Sequence, residues 1–167
     1  MHPLQNYISP VENFPKEGIR FYDIAPLLET KLTEMVDAFS AQFTEEEWQK
    51  IDVIAGAESR GFLFASALAY KHGKGVVLIR KKGKLPNVAV SESYGLEYGD
   101  DVLEMQAGSG NVLLVDDVLA TGGTLTAAAN LCANSGRDVV GIGVLINLPA
   151  LNDFSWRGLK AKALMSL

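Results

Sequence analysis

The most regular pattern in the chain is a series of short apolar stretches that recur along its length. Most of them are rich in valine and isoleucine, and each is bounded by polar or glycine-containing segments. This pattern is typical of strands buried within a sheet. The predicted strands are residues 51–55, 76–79, 112–115 and 139–146.

Segments with a helical period separate several of these strands. Apolar residues at helical spacing predict an amphipathic helix over residues 32–43, and Thr44 with Glu47 fits a capping box that begins a short helix. Two further helices are predicted at residues 62–70 and 124–133. Because strands alternate with helices, we expect an α/β fold in which helices flank both faces of a parallel sheet.

In such a sheet, ligands bind beyond the carboxyl ends of the strands. The segments that follow the predicted strands are residues 56–61, 80–84, 116–124 and 147–151, and three of these four are unusually polar or rich in glycine. Residues 82–98 show no clear helix or core strand. A long irregular excursion of this kind in a compact domain is often a lid over a site.

Length and composition narrow the class of protein. With 167 residues, 48% of them hydrophobic and 21% charged, the chain suits one domain over residues 1–167 with a sizeable core. No apolar run approaches the roughly 20 residues needed to span a bilayer. The first residues lack the features of a secretion signal, and a single cysteine, Cys132, permits no intramolecular disulfide. We therefore expect a cytoplasmic protein without a membrane partner.

Charge and the remaining reactive residues exclude other functions. The net charge of −5 argues against nucleic-acid binding, which needs a basic face. His2 and His72 are far apart and lack the partners of a zinc site, so we expect no metal site built from protein ligands alone. Cys132 follows an apolar residue of a predicted helix and is interpreted as part of the core.

Positive charge is concentrated in one segment. Arg80, Lys81, Lys82 and Lys84 place four of the fifteen basic residues within five positions. Such a cluster is either a solvated loop or a binding site for a small polyanion such as pyrophosphate. The cluster alone leaves both interpretations open.

The most informative motif is VLLVDDVLATGGT, residues 112–124. It begins as a buried strand, passes Asp116 and Asp117, and turns through two glycines into a helix. Glycines allow close approach of the backbone, and the free N–H groups at a helix start bind anions. The acids suit hydroxyl groups, so the motif predicts a phosphorylated ribose; no lysine follows the glycines, which excludes a Walker P-loop.

This motif resembles the phosphoribosyl-diphosphate binding motif of the type I phosphoribosyltransferases. Four more segments are similar to the adenine-using branch of that family, in its order and spacing: residues 14–28, 54–64, 75–86 and 94–105. The resemblance implies the sheet described above, with a flexible lid loop and a small N-terminal hood. It also implies transfer of 5-phosphoribosyl from phosphoribosyl diphosphate to N9 of adenine, giving AMP and pyrophosphate, with Mg²⁺ carried on the donor. The family is commonly homodimeric.

The resemblance assigns the donor site residue by residue. Asp116 and Asp117 would hold the ribose hydroxyls beside the reacting carbon, where the cationic transition state favours nearby anions. The 5′-phosphate would bind Ala120, Thr121, Gly122, Gly123 and Thr124. The pyrophosphate would bind Ser59, Arg60, Arg80, Lys81 and Lys84, and Arg60 is also assigned a catalytic role.

The purine site follows from the same resemblance. Phe21 matches the aromatic residue that stacks on the base, between Arg20 and Tyr22, and Leu148 closes the other side of the ring. Glu97 matches a lid carboxylate near purine N7 that would manage a proton as N9 becomes the nucleophile.

Three positions depart from the family pattern, namely Glu17, Tyr22 and Asn147. The last two flank the base site, so they bear on which purine is used. Two alternatives therefore remain open: an enzyme for the 6-oxopurines guanine and hypoxanthine, and a non-catalytic regulator that binds the donor.

Overall fold

The computed structural model describes residues 2–96 and 99–167. A 3-10 helix, Pro3–Tyr7, precedes the other elements. The strands are β1 (Ser9–Glu12), β2 (Arg20–Asp23), β3 (Val53–Ala57), β4 (Gly75–Lys81), β5 (Val90–Leu96), β6 (Gly99–Met105), β7 (Asn111–Leu119), β8 (Asp138–Asn147) and β9 (Lys162–Ser166). The α-helices are α1 (Ala25–Ser40), α2 (Glu45–Lys50), α3 (Gly61–His72) and α4 (Gly123–Asn134).

One sheet of seven strands, in the order β5-β6-β4-β3-β7-β8-β9, forms the framework. From β4 to β9 in this order, all neighbours are parallel. The predicted α/β sheet is confirmed, and the four predicted strands correspond to β3, β4, β7 and β8. The strand β7 is longer than predicted, so that Asp116 and Asp117 lie within it and not after it.

Apolar layers cover both faces of this sheet. Alternate residues of a strand point to opposite faces, and in β7 Leu113 and Val115 join the cluster that contains α1 and α3. Val112 and Leu114 join the cluster that contains α4. Burial on both faces explains why this strand is apolar throughout instead of alternating.

The predicted helices are present, with shifted ends. Helix α1 begins earlier than predicted and ends at Ser40, so Phe43 packs beyond its end. The capping box of α2 is formed as predicted: Thr44 N–H donates to Glu47 Oε2 at 2.7 Å, and Glu47 N–H donates to Thr44 Oγ1 at 3.2 Å. Among the described residues, no helix is long and apolar enough to cross a membrane.

Two small antiparallel units flank the end of the sheet where the site lies. Strands β1 and β2 pair with each other, with Val11 opposite Phe21, and form the predicted N-terminal hood. Strands β5 and β6 form a hairpin, which joins β4 only at Arg80 and Lys81. The stretch predicted as a lid loop is therefore more regular than its sequence indicates.

Candidate active site

A cavity of about 600 Å³ opens where the hood, the hairpin and the carboxyl ends of the central strands meet. Most of the predicted site residues share its wall. The lining residues are Arg20, Phe21, Tyr22, Glu58, Ser59, Arg60, Lys81, Lys84, Tyr94, Asp116, Asp117, Val118, Ala120, Thr124 and Leu148. Segments far apart in the sequence are thus brought to one place, as the strand order requires.

The loop between β7 and α4 forms a small recess beside this cavity. Thr121, Gly122 and Gly123 line a pocket of about 60 Å³ together with Ala120 and Thr124. Gly122 has φ +89°, a left-handed conformation that favours glycine, and no described side chain caps α4. The first N–H groups of this twelve-residue helix are therefore available to an anion.

Asp116 and Asp117 are both buried, at 8% and 6% exposure. The N–H of Asp117 donates to Asp116 Oδ1 at 2.9 Å. Burial, reinforced by the charge of Asp117, raises the pKa of Asp116 well above its ordinary value. The pair is thus built to hold one negative charge next to a group that can remain neutral.

Close backbone contacts hold the residues around Arg60 against this acid pair. A Cβ at Gly56 would overlap the carbonyl of Gly61, and a Cβ at Gly61 would lie 3.1 Å from Asp116 Oδ1. Both glycines therefore allow the start of α3 to pack against β3 and β7. As a result, Arg60 Nε lies 2.7 Å from Asp117 Oδ2. The two atoms are not aligned as a hydrogen bond, and this buried oxygen has no hydrogen-bond partner among the described residues.

Glu58 organises the basic cluster, and its role was missed from the sequence. Its nearly buried carboxylate accepts hydrogen bonds from Lys84 Nζ at 2.7 Å and from the Lys81 N–H at 2.9 Å. Burial alone would raise the pKa of Glu58, but these hydrogen bonds, with the charges of Lys84 and Arg80, lower it below its ordinary value. The cations are therefore held in place by an ionised carboxylate.

The two lysines line the cavity, but Arg80 does not. Lys81 Nζ lies 2.9 Å from Asp101 Oδ2, on β6. Arg80 precedes it on β4 and points the other way, so that its guanidinium donates to the Lys84 carbonyl at 2.9 Å and approaches Glu58. Arg80 is therefore not among the residues that line this cavity, and its contacts brace the segment; its assignment to the pyrophosphate stays a prediction.

The base-binding residues come from the hood and from the end of β8. The Phe21 ring is met edge-on by Phe14, with centroids 5.1 Å apart, and the Arg60 guanidinium lies 4.8 Å above it. Leu148 donates its N–H to the Leu119 carbonyl at 2.9 Å, which fixes it next to the phosphate loop, residues 120–124. These contacts place an apolar ring and an aliphatic wall in one cavity, which suits a flat heterocycle.

Tyr22 and Asn147, which depart from the family pattern, differ in their position relative to the cavity. Tyr22 lines the cavity, whereas Asn147 does not. Asn152 Nδ2 donates to Asn147 Oδ1 at 3.1 Å and also to the carbonyl oxygens of Ala120 and Leu148. Asn147 therefore belongs to a hydrogen-bond network behind the site, and Tyr22 alone of the two faces the ligand.

Glu97 lies outside the described residues, so its assignment stays a prediction. Cys132 and His72 are not among the residues that line the cavity. Cys132 is fully buried, and burial raises the pKa of its thiol to about 12, as expected of a core residue. His72 ends α3, where it stacks on Trp48 at 3.6 Å and meets Ser40 Oγ at 2.7 Å.

The described residues offer few ligands for a divalent cation. Among the residues that the structure describes, no group of three or more histidine, cysteine or acidic side chains could hold a metal ion. The cavity offers Asp116 and Asp117, and the Oδ2 of Asp117 has no hydrogen-bond partner among the described residues, although it is ion-paired with Arg60. Mg²⁺ is commonly held by one or two carboxylates together with substrate phosphates, so this site fits a magnesium ion that arrives with a phosphorylated ligand.

The fold and site are those of a phosphoribosyltransferase, and comparisons with known proteins agree. Residues 27–157 match the phosphoribosyl transferase domain. The adenine phosphoribosyltransferase of Hydrogenovibrio crunogenus is 53% identical over 98% of this chain and 96% of its own length. That of Bdellovibrio bacteriovorus is 44% identical over 97% and 98%, respectively.

Solved structures give the same result. Adenine phosphoribosyltransferase from Thermoanaerobacter pseudethanolicus superposes with a TM-score of 0.87 at 37% identity, covering 98% of both chains. The Saccharomyces cerevisiae enzyme, complexed with an imino-altritol bisphosphate and adenine, gives 0.86 at 35% identity over 96% of both chains. The chain belongs to the phosphoribosyltransferase family and, within it, to the adenine phosphoribosyltransferases.

Proposed function

We propose that this chain transfers the 5-phosphoribosyl group from phosphoribosyl diphosphate to N9 of adenine, giving AMP and pyrophosphate in purine salvage. The observation that carries the proposal is the single cavity that joins a helix-start anion site, a buried acid pair, a row of cations and an aromatic ring. Each part suits one portion of the two substrates. The bisphosphate and adenine bound by the yeast relative support the same pairing of ligands.

The residues divide the chemistry by charge. As the bond from C1′ to the diphosphate breaks, positive charge develops on the ribosyl ring and negative charge on the leaving group. Asp117 and Asp116 stabilise the first, while Ser59, Arg60, Lys81 and Lys84 receive the second. The phosphate loop binds the 5′-phosphate of the donor and Phe21 stacks on adenine, so that N9 of adenine faces C1′ of the ribose as the bond between them forms.

Mg²⁺ is proposed as the cation that accompanies the donor. The ion would offset charge on the diphosphate, and Asp116 and Asp117, which line the cavity, would hold it together with the donor's phosphates and ribose hydroxyls. Glu97 is proposed to manage the purine proton, on the resemblance alone.

Purine choice is tested by measuring pyrophosphate release with the donor, Mg²⁺ and each of adenine, guanine, hypoxanthine and xanthine. We expect turnover with adenine well above the other three. Preference for a 6-oxopurine would contradict the adenine assignment and would direct attention to Tyr22, the departure that lines the cavity. Donor binding without turnover of any purine would instead support a regulator.

Loss of Lys84 is expected to weaken the donor specifically. Lys84→Ala removes a cation that lines the cavity, so the KM for phosphoribosyl diphosphate should rise while that for adenine stays constant. The effect should shrink as ionic strength rises, because salt screens exposed charges over about 10 Å at 0.1 M.

The neighbouring lysine provides the control for this experiment. Lys82 is exposed and does not line the cavity, so Lys82→Ala should leave both KM values unchanged. Equal donor KM values for the two variants at low salt would show that the basic cluster is a solvated loop and not a binding site for the donor.

We also propose a homodimer in the cytoplasm. Four large apolar residues are exposed on α3 and β4, namely Leu63, Tyr70, Val76 and Leu78. Because β6 joins β4 only at Arg80 and Lys81, the apolar part of β4 has no described strand on that side. A second copy of the chain would bury this surface, and sedimentation equilibrium would reveal it as a doubled mass.

A further inference from the structure

Tyr94 reaches from the hairpin into the cavity, next to the phosphate loop. It lies on β5 and lines the main cavity together with Lys81 and Thr124. It also lines a neighbouring cavity of about 310 Å³, whose wall includes Thr121, Gly122 and Gly123. The phenol ring thus stands between the two openings that border the anion site.

The hydroxyl of Tyr94 has polar neighbours on two sides. It donates to Asp101 Oδ2 at 3.2 Å, and the same oxygen lies 2.9 Å from Lys81 Nζ. Asp101 is the residue directly opposite Tyr94 in the hairpin. Thr124, the second residue of α4, lines the same cavity as Tyr94. The hydroxyl is therefore bonded to an ion pair of the basic cluster, in a cavity that also contains the start of α4.

The charge state of the phenol makes it a hydrogen-bond donor. Burial, together with the negative charge of Asp101, raises the pKa of Tyr94. It therefore keeps its proton at neutral pH. Asp101 loses little if the hydroxyl turns away, because Lys81 and the Val102 N–H remain bonded to its carboxylate. A phosphate oxygen is an ionised acceptor, so a hydroxyl that donates to it forms a charge-assisted hydrogen bond.

We propose that Tyr94 is a further donor-binding residue, whose hydroxyl donates a hydrogen bond to the 5′-phosphate held at Thr121–Thr124. This assignment rests on the proposed phosphoribosyl transfer. It gives the hairpin a direct contact with the substrate, in addition to whatever residue 97 contributes. It also explains why a tyrosine stands in a strand whose neighbours, Ser93 and Gly95, are small.

Calorimetry with two separate probes tests this contact. Ribose 5-phosphate carries the 5′-phosphate alone, and inorganic pyrophosphate represents the other end of the donor. Tyr94→Phe removes one oxygen and keeps the ring. We expect it to weaken ribose 5-phosphate binding about tenfold, the size of a hydrogen bond to a charged group, and to leave pyrophosphate binding unchanged. The donor KM should rise by a similar factor, with the adenine KM unchanged.

Two companion variants distinguish a direct contact of Tyr94 with the phosphate from a structural role of Tyr94 in the hairpin. Asp101→Asn removes the charge of the present partner of Tyr94 but keeps the hydroxyl, so ribose 5-phosphate should bind as in the wild type. Tyr7→Phe, on the N-terminal 3-10 helix, is the control for loss of a hydroxyl elsewhere. Weakening of pyrophosphate alone, no change in either probe, or equal losses in Tyr94→Phe and Asp101→Asn would each overturn the proposal. A wild-type protein that binds neither probe nor donor would instead contradict the proposed function.

Discussion

Asp117→Asn is expected to lose about 10²- to 10³-fold in kcat, the usual cost of one well-placed electrostatic group. Asp117 is 6% exposed, and its Oδ2 has no hydrogen-bond partner among the described residues. Asparagine keeps the shape but removes the charge that would stabilise a cationic ribosyl ring. The fold should hold, because the change relieves repulsion within the buried acid pair, which offsets the weakened ion pair with the partly exposed Arg60. Steady-state kinetics and a urea unfolding curve measure the two effects.

The neighbouring acid provides a matched comparison. The pKa of Asp116 is raised by burial and by the charge of Asp117, so the charge removed by Asp116→Asn is held less firmly than that of an ordinary aspartate. We therefore expect a smaller loss of kcat than in Asp117→Asn. If the kcat of Asp117→Asn stays within about threefold of wild type, the acid pair does not act at the reacting centre, since the loss of such an electrostatic group lowers kcat far more than this.

The donor site could be predicted from the sequence because its parts are contiguous. Strand, acids, glycines and helix occupy residues 112–124, and local rules govern each step: apolar burial, close approach at Gly122, and free N–H groups at the start of α4. The strands β3 and β8 could be predicted for a related reason, since each is buried along much of its length, whereas β4 is apolar at residues 76–79 although Val76 and Leu78 are exposed.

The carboxylates that hold the cations could not be predicted in this way. Glu58 meets Lys84 across 26 positions, and Asp101 meets Lys81 only because β6 joins the end of β4. A run of basic residues does not tell which side of a strand each one faces, so it could not show that Lys81 lines the cavity while Arg80 does not. Such pairings depend on tertiary structure, which local patterns do not encode.

The strands of the hairpin were not predicted, because the first of them does not alternate between apolar and polar residues. It reads VSESYGL: serines and a glycine occupy one set of alternate positions, and the other set includes a glutamate. The role proposed for Tyr94 depends on where it lies in the fold. It lines the cavity because β5 pairs with β6 and β6 pairs with β4, and local sequence does not show either pairing.

Arg60 is the residue whose loss should affect the two substrates in opposite directions. Its guanidinium lies 4.8 Å above the Phe21 ring, and its Nε lies 2.7 Å from Asp117 Oδ2. It therefore covers a face of the ring proposed to stack on the purine and masks a carboxylate proposed to face the ribose. A pyrophosphate group, which carries more charge, would draw the arginine away from both and expose the base site.

Arg60→Met is accordingly expected to weaken donor binding at least about tenfold, since it removes a charged hydrogen-bond donor from the proposed pyrophosphate site. Adenine should bind the protein alone about two- to fivefold more tightly, because the cation–π contact that competes for Phe21 is lost. Calorimetry with each substrate separately measures both changes. Arg80→Met, whose side chain lies off the cavity wall, is the control and should not tighten adenine binding. If Arg60→Met weakens both substrates, or leaves adenine binding unchanged, then Arg60 does not compete with the purine and the two sites open independently.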